Sequence, residues 1–149
     1  MIKVLFVCLG NICRSPMAEY LLKDKVKKLN IDDNFYIESA GTSEEENGNE
    51  VHYGTKKILN NLNIDCSKKR ARKMTKEDYD NFDYIICMEK SNIYHINRIV
   101  IDKDHKVFRL LDFTGNQRDI SDPWYTHNFE KCYQDIDEGI NAFIKYLGY

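Results

Sequence analysis

The chain has 149 residues, with 22 basic against 24 acidic side chains and a formal charge of −2. That length gives one domain, residues 1–149, and the near balance of charge excludes a global drive toward nucleic acid or anionic membrane. With 42% hydrophobic and 31% charged residues, the composition is that of a globular protein rather than a disordered one.

The first apolar run, KVLFVC (Lys3 to Cys8), is too continuous for a half-exposed strand and fits one covered on both faces. From Arg14, Ser15 and Pro16 the period changes to helical, with Met17, Ala18, Leu21, Leu22 and Val26 on one side. FYIES (Phe35 to Ser39) is a second strand ended by Gly41, and EEENGNE (Glu44 to Glu50) an exposed loop. VHYGTKKILNNLNI is a second helical pattern whose buried side is assigned to Ile58, Leu59 and Leu62. FDYIICM (Phe82 to Met88) is the third strand, Ser91 to Val100 the third helix and KVFRLL (Lys106 to Leu111) the fourth strand. A long loop from Asp112 to about Thr126 precedes a last helix carrying Phe129, Cys132, Ile136, Ile140 and Phe143 at helical spacing. This alternation predicts an α/β three-layer sandwich: a four-stranded parallel sheet, flavodoxin- or Rossmann-like, flanked by helices. Ligands of such sheets bind beyond the carboxyl ends of the strands, which is where Cys8 falls.

Met1 leads directly into a strand-like run, so no signal peptide is expected, and no apolar run reaches the roughly 18 residues that span a bilayer. An odd number of cysteines, five, in a chain of this size points to a reducing, cytoplasmic setting.

The stretch CLGNICRSPMAE carries the chemistry. Successive N–H groups in a loop curling from Cys8 to Arg14 form a cup for an anion, reinforced by the positive end of the following helix. Gly10 permits backbone angles that a side chain would obstruct, and Asn11 tolerates a left-handed turn that its amide can tie down. Arg14 presents a planar fork suited to two oxygens of a phosphate-like group. The same field is expected to lower the Cys8 pKa below the free value of about 8.5, giving a thiolate nucleophile. Ser15 either donates to that sulfur or caps the helix, with Pro16 at the first helical position.

This loop resembles the active-site loop of low-molecular-weight protein tyrosine phosphatases. SAGTS (Ser39 to Ser43), ARKMTKEDYDNFDYIICMEKSN (Ala71 to Asn92) and DPWY (Asp122 to Tyr125) resemble the same family in the same order. The resemblance implies metal-free, cofactor-free hydrolysis of aryl phosphomonoesters through a cysteinyl-phosphate, with tyrosine-phosphorylated proteins or peptides as partners. Carried over by motif, Cys8 is the nucleophile, Arg14 the phosphate clamp and Asp122 the general acid. Asn11 and Ser15 hold and tune the loop, Ser39 lies in its support, and Cys13 is a redox partner forming a protective disulfide with Cys8.

Expelling a phenolate, whose conjugate acid has a pKa near 10, needs a proton donor, and a base must then activate water. Asp112, Asp119 and Asp122 are all available in the long loop. Asp122 is favoured because Pro123 keeps it extended and because Trp124 and Tyr125 can wall a ring; Asp119 is the fallback. Leu9 and Ile12 supply apolar contact to that ring. Relatives that prefer phosphoarginine resemble this sequence but carry threonine at the position of Ile12, so phosphotyrosine is favoured and phosphoarginine is the alternative. An arsenate reductase of the same fold is the rival from another class, but Cys87 lacks a nearby second cysteine. Zinc is not expected: Cys8 and Cys13 have the wrong spacing and the four histidines are scattered.

Two segments depart from the family pattern. EEENGNEVHYG lacks the Pro-Asp pair often found after SAGTS, and Lys69 stands where histidine is common. The surrounding KKRARK (Lys68 to Lys73) is read as a solvated face in preference to a site that attracts acidic phosphopeptides. A monomer or weak self-association through aromatics near Trp124 is expected.

Overall fold

A computed structural model describes residues 1–149. Four parallel strands, β1 (Ile2–Cys8), β2 (Phe35–Gly41), β3 (Tyr84–Cys87) and β4 (Val107–Arg109), form one sheet in the order β2-β1-β3-β4. Six helices surround it: α1 (Arg14–Lys28), α2 (Tyr53–Asn61), α3 (Lys76–Asn81), α4 (Lys90–Asn97), α5 (Pro123–Thr126) and α6 (Phe129–Tyr146). No helix is long and apolar enough to cross a membrane.

With β1 paired on both edges by β2 and β3 and helices packed on both faces of the sheet, Val4 to Cys8 are all buried. Alternation along the strand divides them. Val4, Phe6 and Cys8 face the larger core with α1, α2 and α6, whereas Leu5 and Val7 face α3 and α4 through Tyr79, Phe82 and Ile96. The two-residue period therefore puts the Cys8 thiol on the α1 side of the sheet.

Several boundaries differ from the sequence expectation. The second helix stops at Asn61, and Leu62, assigned to the buried side, is 38% exposed; Thr55 and Leu59 are the buried residues of α2. The third helix ends at Asn97 rather than Val100. The fourth strand runs only to Arg109, Leu110–Phe113 forming a 3-10 turn, and the long loop contains the four-residue α5. Helix α3 was not foreseen; its start is marked by a reciprocal capping box between Thr75 and Asp78, a signal present in the sequence.

Candidate active site

The loop from Leu9 to Cys13 leaves β1 at its carboxyl end, beside β3, where the strand order reverses. The left-handed turn within it belongs to Asn11, at φ 60°, and not to Gly10. Its amide makes that angle tolerable: Nδ2 donates to Ser15 Oγ at 2.8 Å and to Ser39 Oγ at 2.9 Å, and Oδ1 accepts from the Arg72 N–H at 3.1 Å. Gly41 makes room for the turn, since a Cβ there would lie 2.7 Å from the Leu9 carbonyl oxygen and 3.2 Å from the Asn11 nitrogen.

Four carbonyls of this stretch are bonded into the protein. Those of Cys8, Leu9 and Ile12 accept from the N–H groups of Thr42, Ser43 and His52, and that of Cys13 accepts from Thr55 Oγ1. The N–H groups from Leu9 to Arg14 find no acceptor in the protein. A row of free donors in a loop that meets a helix N-terminus is an anion site.

Cys8 is 3% exposed and its Sγ lies 3.0 Å from Ser15 Oγ. The helix-cap reading of Ser15 is not what the structure shows. Cys13 occupies the cap position without a side-chain bond, α1 begins at Arg14, and Pro16 is its third residue. With Asn11 donating to it, the Ser15 hydroxyl keeps its own proton for the sulfur; the alternative acceptor, the Ala40 carbonyl, is 3.4 Å away.

Arg14 is 1% exposed. Nη1 donates to the Ile120 carbonyl at 2.8 Å, while Nη2 lies 3.3 Å from both Glu89 Oε1 and Asp122 Oδ2. Nε is buried without a partner. Burial opposes the charge, but Cys8, Asp122 and Glu89 hold the guanidinium above its ordinary pKa. Asp122 caps α5, its Oδ1 accepting from the Trp124 N–H at 3.0 Å. The other two aspartates are engaged elsewhere: Asp112 and Asp119 both bind Arg109, and Asp119 also accepts from the Lys90 N–H.

These groups line a cavity of about 160 Å³. Cys8, Cys13 and Arg14 contribute to it, as do Leu9, Gly10 and Ile12 from the loop. Asp122, Trp124 and Tyr125 join from α5 and its cap. Trp124 stands edge-on to His52 at 5.7 Å, and His52 stacks on Phe129 at 5.0 Å.

Beneath the loop lies a buried polar relay that the sequence reading reached at Ser39 and, as a departure from the family pattern, at Lys69. Ser39 Oγ donates to Glu19 Oε1, and Lys69 Nζ donates to the Ser39 carbonyl at 2.8 Å and lies 3.5 Å from Glu19 Oε1. Lys69 is thus not part of a solvated face, unlike its exposed neighbours Lys68 and Arg70. Burial pulls its ammonium below the usual lysine pKa against the attraction of Glu19. Glu89, Ile120 and Glu19 were missed; Lys69 was marked only as a departure from the family in the shell around the phosphate loop. For Glu89 a signal existed: an acidic residue two positions beyond the end of a buried parallel strand sits on the ligand-binding edge.

All five cysteines are buried free thiols. Burial and the neighbouring Cys8 and Asp122 push the Cys13 thiol far up. Cys132, on α6, is pushed up to about 12 by burial, with Arg14 pulling it down. Cys87 faces the other core and is likewise raised by burial to about 12. No three His, Cys, Asp or Glu side chains gather as a metal site.

A phosphate-sized anion cup at the carboxyl end of a doubly wound sheet, with a thiol at its base, defines the class. The sequence pattern described as low molecular weight phosphotyrosine protein phosphatase matches residues 3–148, and the chain belongs to that family. It is 40% identical over 148 residues to low molecular weight protein-tyrosine-phosphatase PtpA of Staphylococcus aureus, covering 99% of this chain and 94% of the relative. The fold is similar to that of YfkJ from Bacillus subtilis, with TM-score 0.95 and 39% identity, over 99% and 94% of the two chains. It is also similar to a Drosophila arginine phosphatase, with TM-score 0.90 and 29% identity, over 99% of each chain.

Proposed function

We propose that the chain is one phosphatase domain, residues 1–149, that hydrolyses phosphotyrosine in proteins through a cysteinyl-phosphate on Cys8. The observation that carries this reading is the row of unpaired N–H donors from Leu9 to Arg14 in the loop that lines the cavity with the Cys8 thiol. Three equatorial phosphoryl oxygens take these donors and Arg14 Nε. The Cys8 thiolate attacks phosphorus in line, a P–S bond forms as the P–O bond to the ring breaks, and Asp122 delivers a proton to the departing phenolate oxygen. Ser15 donates to the sulfur when it leaves. Asp122, now the base, takes a proton from water as that water attacks phosphorus, releasing inorganic phosphate and regenerating Cys8.

Arg14 is already held by Ile120 and Glu89, so it meets the substrate without reorganising. Such preorganised donors stabilise the transition state more than mobile ones. Ile12, half-buried in the cavity wall, offers only hydrocarbon to the group next to the phosphoryl, which suits a phenyl ring better than a guanidino group. Cys13 is assigned as the redox partner of Cys8, the cytoplasm as the compartment, and a monomer or a weakly self-associating chain as the working form.

Hydrolysis of a phosphotyrosine peptide in excess chelator tests the reading. Wild type is expected to release phosphate and Cys8→Ser none, and Asp122→Asn is expected to lower kcat by roughly 10²- to 10⁴-fold. A folded, reduced wild type without activity would overturn it. A phosphoarginine peptide in the same assay is expected to be the poorer substrate by kcat/KM.

A further inference from the structure

We infer that the loop after β2 sorts phosphopeptides by charge, favouring phosphotyrosines flanked by lysine or arginine, a preference that presupposes the phosphotyrosine hydrolysis proposed above. Ligand pockets commonly enclose roughly 300–1,000 Å³, whereas this cavity holds about 160 Å³. It takes a phosphoryl group and its ring, and the residues on either side of the phosphotyrosine lie across the rim.

The rim charges are of one sign. Glu45 and Glu46 line the mouth, and Arg14 is the one cation lining the cavity. Arg14 is buried at the base, with its unpartnered Nε available to the phosphoryl oxygens. Neither Glu45 nor Glu46 is in an ion pair, nor is the adjacent Glu44.

The loop is anchored rather than trailing in solvent. Gly48 and Ala71 are tied through the bonds from the Gly48 N–H to the Ala71 carbonyl and from the Ala71 N–H to the Asn49 carbonyl, both 2.9 Å. Glu46 lies over the phosphate loop: a Cβ on Gly10 would sit 3.3 Å from its Cγ. Its Oε2 accepts from Asn49 Nδ2 at 2.6 Å, which fixes the carboxylate at the mouth. The Glu45 N–H donates to Ser43 Oγ at 3.1 Å, turning the chain so that the Glu45 side chain stands exposed beside it.

Exposed pairs are individually weak, but attraction of a basic flank and repulsion of an acidic one act in opposite directions. The cost that these carboxylates impose on the phosphoryl dianion is common to all substrates and cancels in the comparison. The resulting selectivity sits in kcat/KM and is screened by salt.

The experiment measures kcat/KM for a simple aryl phosphate, a phosphotyrosine peptide flanked by lysines and its glutamate-flanked counterpart, at low and high salt. The basic peptide is expected to exceed the acidic one by on the order of tenfold at low salt, with the ratio shrinking as salt rises. In Glu45→Gln/Glu46→Gln the ratio should fall to within about twofold, and Glu45→Lys, at an exposed side chain, should lower it further. A wild-type ratio near one, or a ratio unchanged in these variants, overturns the inference while leaving the phosphatase reading intact. Failure to hydrolyse the aryl phosphate overturns both.

Discussion

Glu19 is 3% exposed on the buried side of α1, yet it carries a carboxylate. Lys23 Nζ at 2.6 Å, Lys69 Nζ at 3.5 Å and the Ser39 hydroxyl share it. Through Ser39 the carboxylate supports the Asn11 amide, which in turn fixes the Ser15 hydroxyl on the sulfur. Removing Lys69 leaves part of this charge uncompensated. Lys69→Met is expected to cost about 1–3 kcal/mol. Adding Glu19→Gln should recover much of that loss, because the stranded charge goes with it. Urea denaturation of the two single variants and the double variant closes the cycle, and simple additivity would show that the pair does not interact. That Cys8, Arg14 and the loop between them line one cavity was legible because they are contiguous and because thiol, arginine and small residues at that spacing have few other uses together. For Lys69 only the resemblance marked the position as one around the phosphate loop: nothing local distinguishes one lysine in KKRARK as turned inward.

Helix α3 is six residues of almost wholly polar sequence, so no hydrophobic period announced it. Its contribution is made at its first turn. Asp78 accepts from the Thr75 N–H at 2.8 Å and from both terminal nitrogens of Arg72 at 2.9 and 3.1 Å, and the Arg72 N–H holds the Asn11 amide. Burial pulls the Asp78 pKa up, but Arg72 and Thr75 outweigh it and leave the carboxyl below its ordinary value. A carboxyl lowered in the folded state stabilises above its unfolded pKa of about 3.9 and loses that contribution as pH falls through the folded value. Asp78→Asn should therefore cost about 2 kcal/mol at pH 7, with the gap from wild type narrowing below about pH 4. Urea midpoints at pH 7 and pH 3 check this; a gap that widens in acid would contradict it. By contrast α1 and α6, with long apolar stripes, were legible from periodicity alone. The ends of β4 and α4 were not, because a short apolar run continues equally well as strand, 3-10 turn or loop.

Across the whole molecule, four alternating strands and helices were enough to imply the parallel sheet and the edge on which its ligand binds. What alternation does not specify is which distant residues meet there. Arg14 reaches the Ile120 carbonyl across 106 residues and Glu89 across 75, contacts created by the order β2-β1-β3-β4 and by the return of the chain after β4. Among the three candidate aspartates spacing does not choose, and Asp122 was favoured for its neighbours Pro123, Trp124 and Tyr125; in the structure Arg109 at the end of β4 engages Asp112 and Asp119.

Ile120 is fully buried, with its N–H on the Met88 carbonyl at 2.9 Å and its own carbonyl on Arg14. Asp122, the proton donor we propose, is thus moored two residues from a fixed point between β3 and α1. With the base of the site moored in this way, we expect turnover to need no prior closure. Its kcat should be indifferent to a threefold rise in viscosity made with sucrose; a proportional fall would reveal a closing or release step instead. If kcat is indifferent, discrimination does not draw on a substrate-triggered assembly of the site, and a poor substrate meets the same armed cup as a good one.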